Sequence, residues 1–360
     1  MQEAYFGFPG NGVHSSAYFE KNLMNRSENR IILEAMNRHA GYDIVRKMFD
    51  SKERKQIADE KGRQIATVGG SVMNASLLEK LGVRRIGSYG LSLGAWSAAA
   101  IECIDLDDEA QVDEFFRAVA FRSDAMSACV PVGNGYSDTK YMAAIENLRA
   151  WRIKSICRNV NRRGNRGLVE IIDKKTARLV NENLPLQNVI SGQPEAVEKV
   201  IRSIERKYPD AAVKILDTGG PWHNPDYMKP ASEKVKEDLQ QVPFSEPKNK
   251  LLLTSRTDDF VNDPEEIRSA LGDEISLATR FYKDTIRLMQ SGIRTFVDAG
   301  PNQILKRIWE KIPNLNIIDR VKFVRKVTRE IPIQDLEKKI EESTALTVSS
   351  PSAAPQEDSL

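Results

Sequence analysis

The sequence predicts an α/β protein built as one larger unit interrupted by a smaller α/β unit. Short apolar runs with strand character alternate with stretches at helical spacing along most of the chain. A separate cycle of strands and helices occupies the middle. The length, 360 residues, suits one large domain or two ordinary ones and is enough to bury a sizeable core.

Taken in order, residues 4–8 read as a short strand stopped by Pro9 and Gly10, and a polar loop runs from Asn11 to Ser16. Such a loop at a strand end is where sites tend to sit. Residues 74–82 form a short amphipathic helix closed by Gly82, and residues 83–89 a modest strand. Gly90-Leu91-Ser92-Leu93-Gly94 then leads into residues 95–103, which are small, apolar and helix-prone, so the pentapeptide lies at a strand-to-helix junction. Residues 108–126 have helical spacing, with Phe115, Phe116, Val119 and Ala120 on one side. Val130-Pro131-Val132-Gly133-Asn134-Gly135 breaks the chain.

The second cycle reads as strand 141–145, a basic helix to Arg158, strands 168–172 and 188–191, and helix 194–207. A further series ends at strand 295–299 and the turn Gly300-Pro301, returning to the first unit. Residues 344–360 are Ser, Pro and Ala with few large apolar side chains, the composition of a disordered tail. There is no internal repeat.

Composition excludes several classes. With 41% hydrophobic and 29% charged residues, no run approaches the roughly 18 apolar residues of a membrane helix, so a membrane partner is not expected. The first twelve residues lack a signal peptide's basic start and apolar core. Three cysteines, Cys103, Cys129 and Cys157, are odd in number and widely spaced, which argues against a disulfide framework and a zinc site and for a reducing cytoplasm. A net charge of +2 is too small for a dedicated nucleic-acid binder. Phosphate loops and clustered metal ligands are absent, so no metal is expected.

The chemistry rests on few residues. GxSxG places Ser92 on a sharp turn at a helix N-terminus, where the helix dipole and free N–H groups favour an oxyanion. Alone, the pentapeptide also fits an ordinary helix-start serine; the strand before it and the small-residue helix after it favour a nucleophile. A serine nucleophile needs a base, and His223, in a loop of turn formers following a strand, is the best of three histidines. His39 looks like an exposed helix residue, and His14 sits in the first polar loop. Arg122, near the end of its helix, could hold a carboxylate bidentately or be an ordinary salt-bridged arginine. From Arg149 to Arg178, ten Lys and Arg face only Glu170 and Asp173.

In this order the segments resemble the malonyl-CoA:acyl carrier protein transacylase family, over nearly the whole chain to about residue 325. Phe8-Pro9-Gly10-Asn11-Gly12 is similar to that family's FPGQG, and Gly90 to Gly94 to its GHSLG. Arg122, Met126 and the segment to Gly135 resemble its RxxxM and AVPxGxG. Asn183 to Gly192 is close to NSPxQxVISG, Gly220-Pro221-Trp222-His223 to GAFH, and Phe296 to Pro301 to FxEVGP.

The resemblance implies an α/β-hydrolase-like large domain with an inserted ferredoxin-like small domain. The expected boundaries are 1–131 and 215–330 for the two parts of the large domain, 132–214 for the insert, and 331–360 for a C-terminal helix and disordered tail. It makes Ser92 the nucleophile, His223 the base oriented by a backbone carbonyl, Arg122 the clamp for a malonyl carboxylate, and the N–H groups of Leu93 and Asn11 the oxyanion hole. Malonyl-CoA would be the donor, an acyl carrier protein the acceptor, and no cofactor would stay bound. The basic stretch would help receive CoA phosphates or the acidic carrier.

Asn11 stands in place of the usual Gln and Leu91 in place of His, which alters the acyl pocket beside Leu91 and Trp222. Retention of Arg122 favours a dicarboxylic acyl group, since an unpaired buried guanidinium is costly beside a plain acyl chain. Three other functions compete. A proofreading thioester hydrolase on the same scaffold commonly lacks the clamp arginine. A non-catalytic carrier-binding homologue would have no need of both Ser92 and His223. A nucleic-acid module would need more interleaved aromatics than Trp151.

Overall fold

The computed structural model describes residues 2–11, 29–49, 57, 59–130, 140–164, 176–253, 259–301 and 303–330. His14, most of the segment from Val130 to Gly135, the strand expected at 168–172 and the tail 331–360 lie outside them.

In chain order the elements are β1 Gln2–Phe8, α1 Arg30–Ala40, α2 Ile44–Phe49, α3 Glu60–Lys80, β2 Val83–Gly90, α4 Gly94–Cys103, α5 Glu109–Ala128, β3 Met142–Glu146 and α6 Ala150–Gly164. Then come β4 Ala177–Leu184, β5 Gln187–Gly192, α7 Pro194–Lys207, β6 Ala212–Leu216, α8 Pro225–Asp238, β7 Lys250–Leu252 and α9 Pro264–Glu274. α10 Phe281–Gln290, β8 Thr295–Asp298, α11 Ile304–Trp309, β9 Asn316–Ile318 and α12 Arg320–Glu330 complete the series.

Two sheets organise these elements. The larger has strand order β7-β2-β1-β8-β9, and every neighbouring pair is parallel. Its central strands β1 and β8 are buried on both faces over most of their length, as parallel strands covered by crossover helices must be. Along β1, Ala4, Phe6 and Phe8 enter one core with Trp96, Phe115 and Phe116, while Tyr5 enters a second with Tyr89, Phe281, Phe296 and Trp309. Buried hydroxyls in the second core are satisfied: Tyr5 donates to the Lys250 carbonyl at 2.8 Å, and the Trp309 indole donates to Tyr89 at 2.7 Å.

The smaller sheet, in the order β4-β5-β3-β6, is antiparallel throughout. With α6 and α7 it follows the βαββαβ chain order of a ferredoxin-like unit. Its third core is separate and includes Ile145, Ile153, Ile190 and Val200. β6 runs to Leu216, just past residue 214. Contacts tie the two sheets together: Thr279 exchanges backbone hydrogen bonds with Val180 and Glu182 of β4, and Arg178 of β4 grips Asp226 of α8 bidentately at 2.7 Å.

The expected β1, β2, α4, α5, β3, β5, α7 and β8 lie within a few residues of where the sequence puts them, and two differences stand out: β4 at Ala177–Leu184 is not among the expected strands, and the helix at 74–82 is longer. Residues 74–82 are only the end of α3, a 21-residue helix capped by Asp59. Its stretch from Ile65 to Ala75 is buried on every side, so it shows no amphipathic period to read. Among the described residues, no helix is long and apolar enough to cross a membrane.

The tightest point of the fold is the turn after β2. A Cβ on Gly94 would lie 2.0 Å from the Phe8 carbonyl oxygen, and one on Gly90 would lie 1.9 Å from the Gly94 carbonyl carbon. Backbone cannot yield as a flexible side chain does. Gly94→Ala should therefore cost about 2–3 kcal/mol or more and lower Tm by several degrees. A Cβ on Gly219 meets nothing nearer than 3.6 Å, so Gly219→Ala should leave Tm nearly unchanged. Thermal unfolding followed by circular dichroism of both variants checks the contrast; equal melting temperatures would refute it.

Candidate active site

Ser92 stands at the C-terminal end of a central parallel strand and the N-terminal end of α4. Its φ of 54° is left-handed, a conformation that costs a non-glycine residue of order 1–3 kcal/mol and tends to persist where function requires it. The turn is closed by hydrogen bonds from Gly94 N–H to the Leu91 carbonyl at 3.0 Å and from Ala95 N–H to the Ser92 carbonyl at 2.8 Å. The chain leaving β1 passes directly over it: a Cβ on Gly10 would be 3.2 Å from Ser92 Cβ. The backbone N–H groups of Asn11 and Leu93 have no hydrogen-bond partner among the described residues.

His223 comes from a different part of the chain, the loop between β6 and α8, and is also left-handed at φ 60°. The Ser92 hydroxyl donates to His223 Nε2 at 2.7 Å, and His223 Nδ1–H donates to the Glu274 backbone carbonyl at 2.8 Å. These two bonds select one tautomer, with a lone pair facing Ser92. The imidazole is 3% exposed, and burial lowers its pKa from the ordinary 6.5; the Glu274 carboxylate opposes the shift and Arg122 adds to it. The adjacent Asn224 fastens the loop. Its side chain donates to the Ser191 carbonyl of the small sheet at 3.0 Å and accepts from Asp226 N–H at the start of α8.

Arg122 lies inside α5, 2% exposed, and is not unpaired. Its Nη1 donates to Gln64 Oε1 at 2.6 Å and its Nη2 to Glu274 Oε2 at 3.1 Å, with the Trp96 ring 5.7 Å from the guanidinium carbon. The sequence argument for a dicarboxylic acyl group weighed only the cost of an unpaired arginine. The fold supplies an anion that spacing along the chain does not reveal.

Gln64 also donates to Glu60 at 3.0 Å, and Glu60 accepts from Arg63 at 2.7 Å and from the Asn11 side chain. One polar network thus runs from Asn11 through Glu60 and Gln64 to Arg122 and Glu274, whose main chain holds His223.

The structure therefore brings together Ser92, His223, Arg122, Asn11 and Leu93. Leu91, 7% exposed, packs instead into the apolar cluster with Leu184 and Phe281. Trp222 is buried beside Gly220 and Val130, and its ring and the Glu60–Arg63 pair flank Gly219. His39 is half-buried rather than exposed, 2.9 Å from Asp113. In the basic stretch, Lys154 pairs with Glu182 and Arg178 with Asp226. Sequence reading missed Glu60, Gln64 and Glu274. Gln64 follows Glu60, Lys61 and Arg63 in the polar first turn of α3 and carries no signal of its own; Glu274 closes the acidic, polar stretch GDE and stands out only once α9 is seen to pack it at 1% exposure. Among the described residues, no three His, Cys, Asp or Glu side chains group as metal ligands.

No family model matches the chain. A malonyl CoA-acyl carrier protein transacylase from Bacillus subtilis is 29% identical over 224 residues, 62% of this chain and 63% of that protein. The chain thus spans just under two thirds of that relative's length. The corresponding protein from Staphylococcus aureus is 23% identical over 313 residues, 87% of this chain and 93% of its own.

Among solved structures, FabD from Acinetobacter baumannii superposes with a TM-score of 0.75 at 22% identity, covering 91% of this chain and 97% of that one. A malonyl-transacylase in complex with its type II polyketide synthase acyl-carrier protein gives 0.75 at 21%, covering 92% and 100%. These likenesses establish the fold, an α/β domain with a small inserted one. By its sequence relatives, the chain is similar to malonyl CoA-acyl carrier protein transacylases.

Proposed function

We propose that the protein is an acyltransferase that takes a malonyl group from coenzyme A onto Ser92 and passes it to the phosphopantetheine thiol of an acyl carrier protein. The observation that carries this reading is the relay from Ser92 Oγ to His223 Nε2 and from His223 Nδ1 to the Glu274 carbonyl.

In the first half-reaction His223 Nε2 takes the Ser92 proton as Oγ attacks the thioester carbonyl. The oxyanion that forms lies at the positive end of α4, where the N–H groups of Leu93 and Asn11 have no partner among the described residues and are able to receive it. Collapse breaks the carbon–sulfur bond, and the imidazolium gives its proton to the departing CoA thiolate. The carrier thiol then gives a proton to the neutral imidazole and attacks the Ser92 ester, and Ser92 recovers its proton from His223. A backbone carbonyl suffices as the orienting group because it fixes the tautomer without adding a charge.

Arg122, which shares its charge with Glu274, is the cation that a malonyl carboxylate would meet in this site. The exposed Arg149 and Arg158 on and beside α6 suit CoA phosphates or an acidic carrier surface. No cofactor is needed for this chemistry. Cys103, Cys129 and Cys157 are all unpaired, which supports a reducing, cytoplasmic setting.

Transfer of labelled malonyl from CoA to a phosphopantetheinylated carrier protein tests the reading. Wild type should load the carrier, and Ser92→Ala should lose at least about three orders of magnitude. Label released to water while the carrier stays empty would replace transferase with hydrolase.

The rate of Ser92 acylation should fall as pH drops through the lowered pKa of His223, because only the neutral ring accepts a proton. Half-maximal rate is therefore expected below pH 6.5; a midpoint at or above that value would contradict the buried-base assignment. Arg122→Ala should move preference from malonyl toward uncharged acyl-CoA by about tenfold or more, read as a ratio of kcat/KM values. An unchanged ratio would remove Arg122 from substrate binding.

A further inference from the structure

We propose that Glu274 determines acyl choice: by holding Arg122 in a buried ion pair it makes the tail of the acyl pocket electrically neutral, so malonyl is not strongly selected over a neutral acyl group of the same size. The inference rests on the acyltransferase reading and specifies the substrate class of that site.

Charge counting at the network leads to it. Arg122 and Glu274 are 2% and 1% exposed, so water screens neither. Gln64, which occupies the other terminal nitrogen, is neutral, and Glu60 beyond it is compensated by Arg63 at 2.7 Å. The nearby Asp273 is paired with Lys236 at 2.6 Å. No net positive charge therefore remains around the guanidinium.

A bare arginine recognises a carboxylate through two parallel N–H donors. In this protein each terminal nitrogen already donates to a protein oxygen, and Nε has no partner among the described residues. An arriving carboxylate can use only Nε and the second N–H of each terminal nitrogen, and at any of them it meets the Glu274 charge in a desolvated setting. A carboxamide of the same shape accepts from Nε without that repulsion. Glu274 Oε1, 3.6 Å from His223 Nδ1 but without a hydrogen-bond partner, is an acceptor that an amide N–H can satisfy and a second carboxylate cannot.

The test is competition between malonyl-CoA and malonamyl-CoA, its carboxamide counterpart, for acylation of Ser92, read by peptide mass in wild type and Glu274→Gln. Wild type should load the two within about tenfold of each other, and Glu274→Gln should raise the malonyl-to-malonamyl ratio by at least roughly tenfold. A merely structural role for Glu274 would slow both donors and leave that ratio where it was.

A wild-type preference for malonyl beyond about tenfold, or a ratio that Glu274→Gln moves by less than about threefold, overturns the inference. The wild-type comparison decides it even if the variant does not fold. Either result, with Ser92 still acylated, leaves the acyltransferase reading standing; failure of every CoA thioester to acylate Ser92 removes both.

Discussion

The left-handed turn that carries Ser92 is wedged between β1 and α4, with backbone pressed against backbone where Gly90, Gly94 and the Phe8 carbonyl meet. Much of the molecule serves to keep it there. The parallel pairing of β1 with β2 sets the height of the Phe8 carbonyl against the turn, from Gln2 opposite Val83 to Phe8 opposite Gly90. Strand burial on both faces makes that register costly to change, since a slip would move Tyr5 and Phe6 into each other's cores. Strain at one residue persists because the surrounding packing over-determines it.

His223 is the second left-handed residue of the site and is secured from two directions. Asn224 anchors its loop to the small sheet, and the Glu274 carbonyl at the end of α9 fixes its ring. Glu274 thereby joins two contacts in one residue. Its main chain accepts from the His223 ring, and its side chain pairs with Arg122. Four segments far apart in sequence, around residues 64, 92, 122 and 223, are joined through it and through Ser92.

Much of this was legible in the sequence, because strand–glycine–serine–glycine–helix is a local signal and His223 sits among turn formers that cannot continue a helix. Legibility ended where burial replaced pattern. The middle of α3 lacks a polar face, so only its last turn was readable, although Gln64 near its start reaches Arg122. The partners of Arg122 come from helices about sixty residues before it and about a hundred and fifty after it, and nothing in the sequence pairs them. Leu91 is expected beside the acyl pocket by its place next to Ser92, and its packing into the apolar cluster with Leu184 could not be read from its sequence neighbours.

The central claim is that Ser92 itself carries the acyl group between two thiols. Peptide mapping by mass spectrometry after a brief incubation with malonyl-CoA alone, with no carrier protein present, tests this most directly. The account predicts an acyl ester on the peptide containing Ser92, absent when His223 is replaced by Ala. An adduct confined to another residue, or acyl transfer to a later-added carrier without any acylated Ser92, would contradict it.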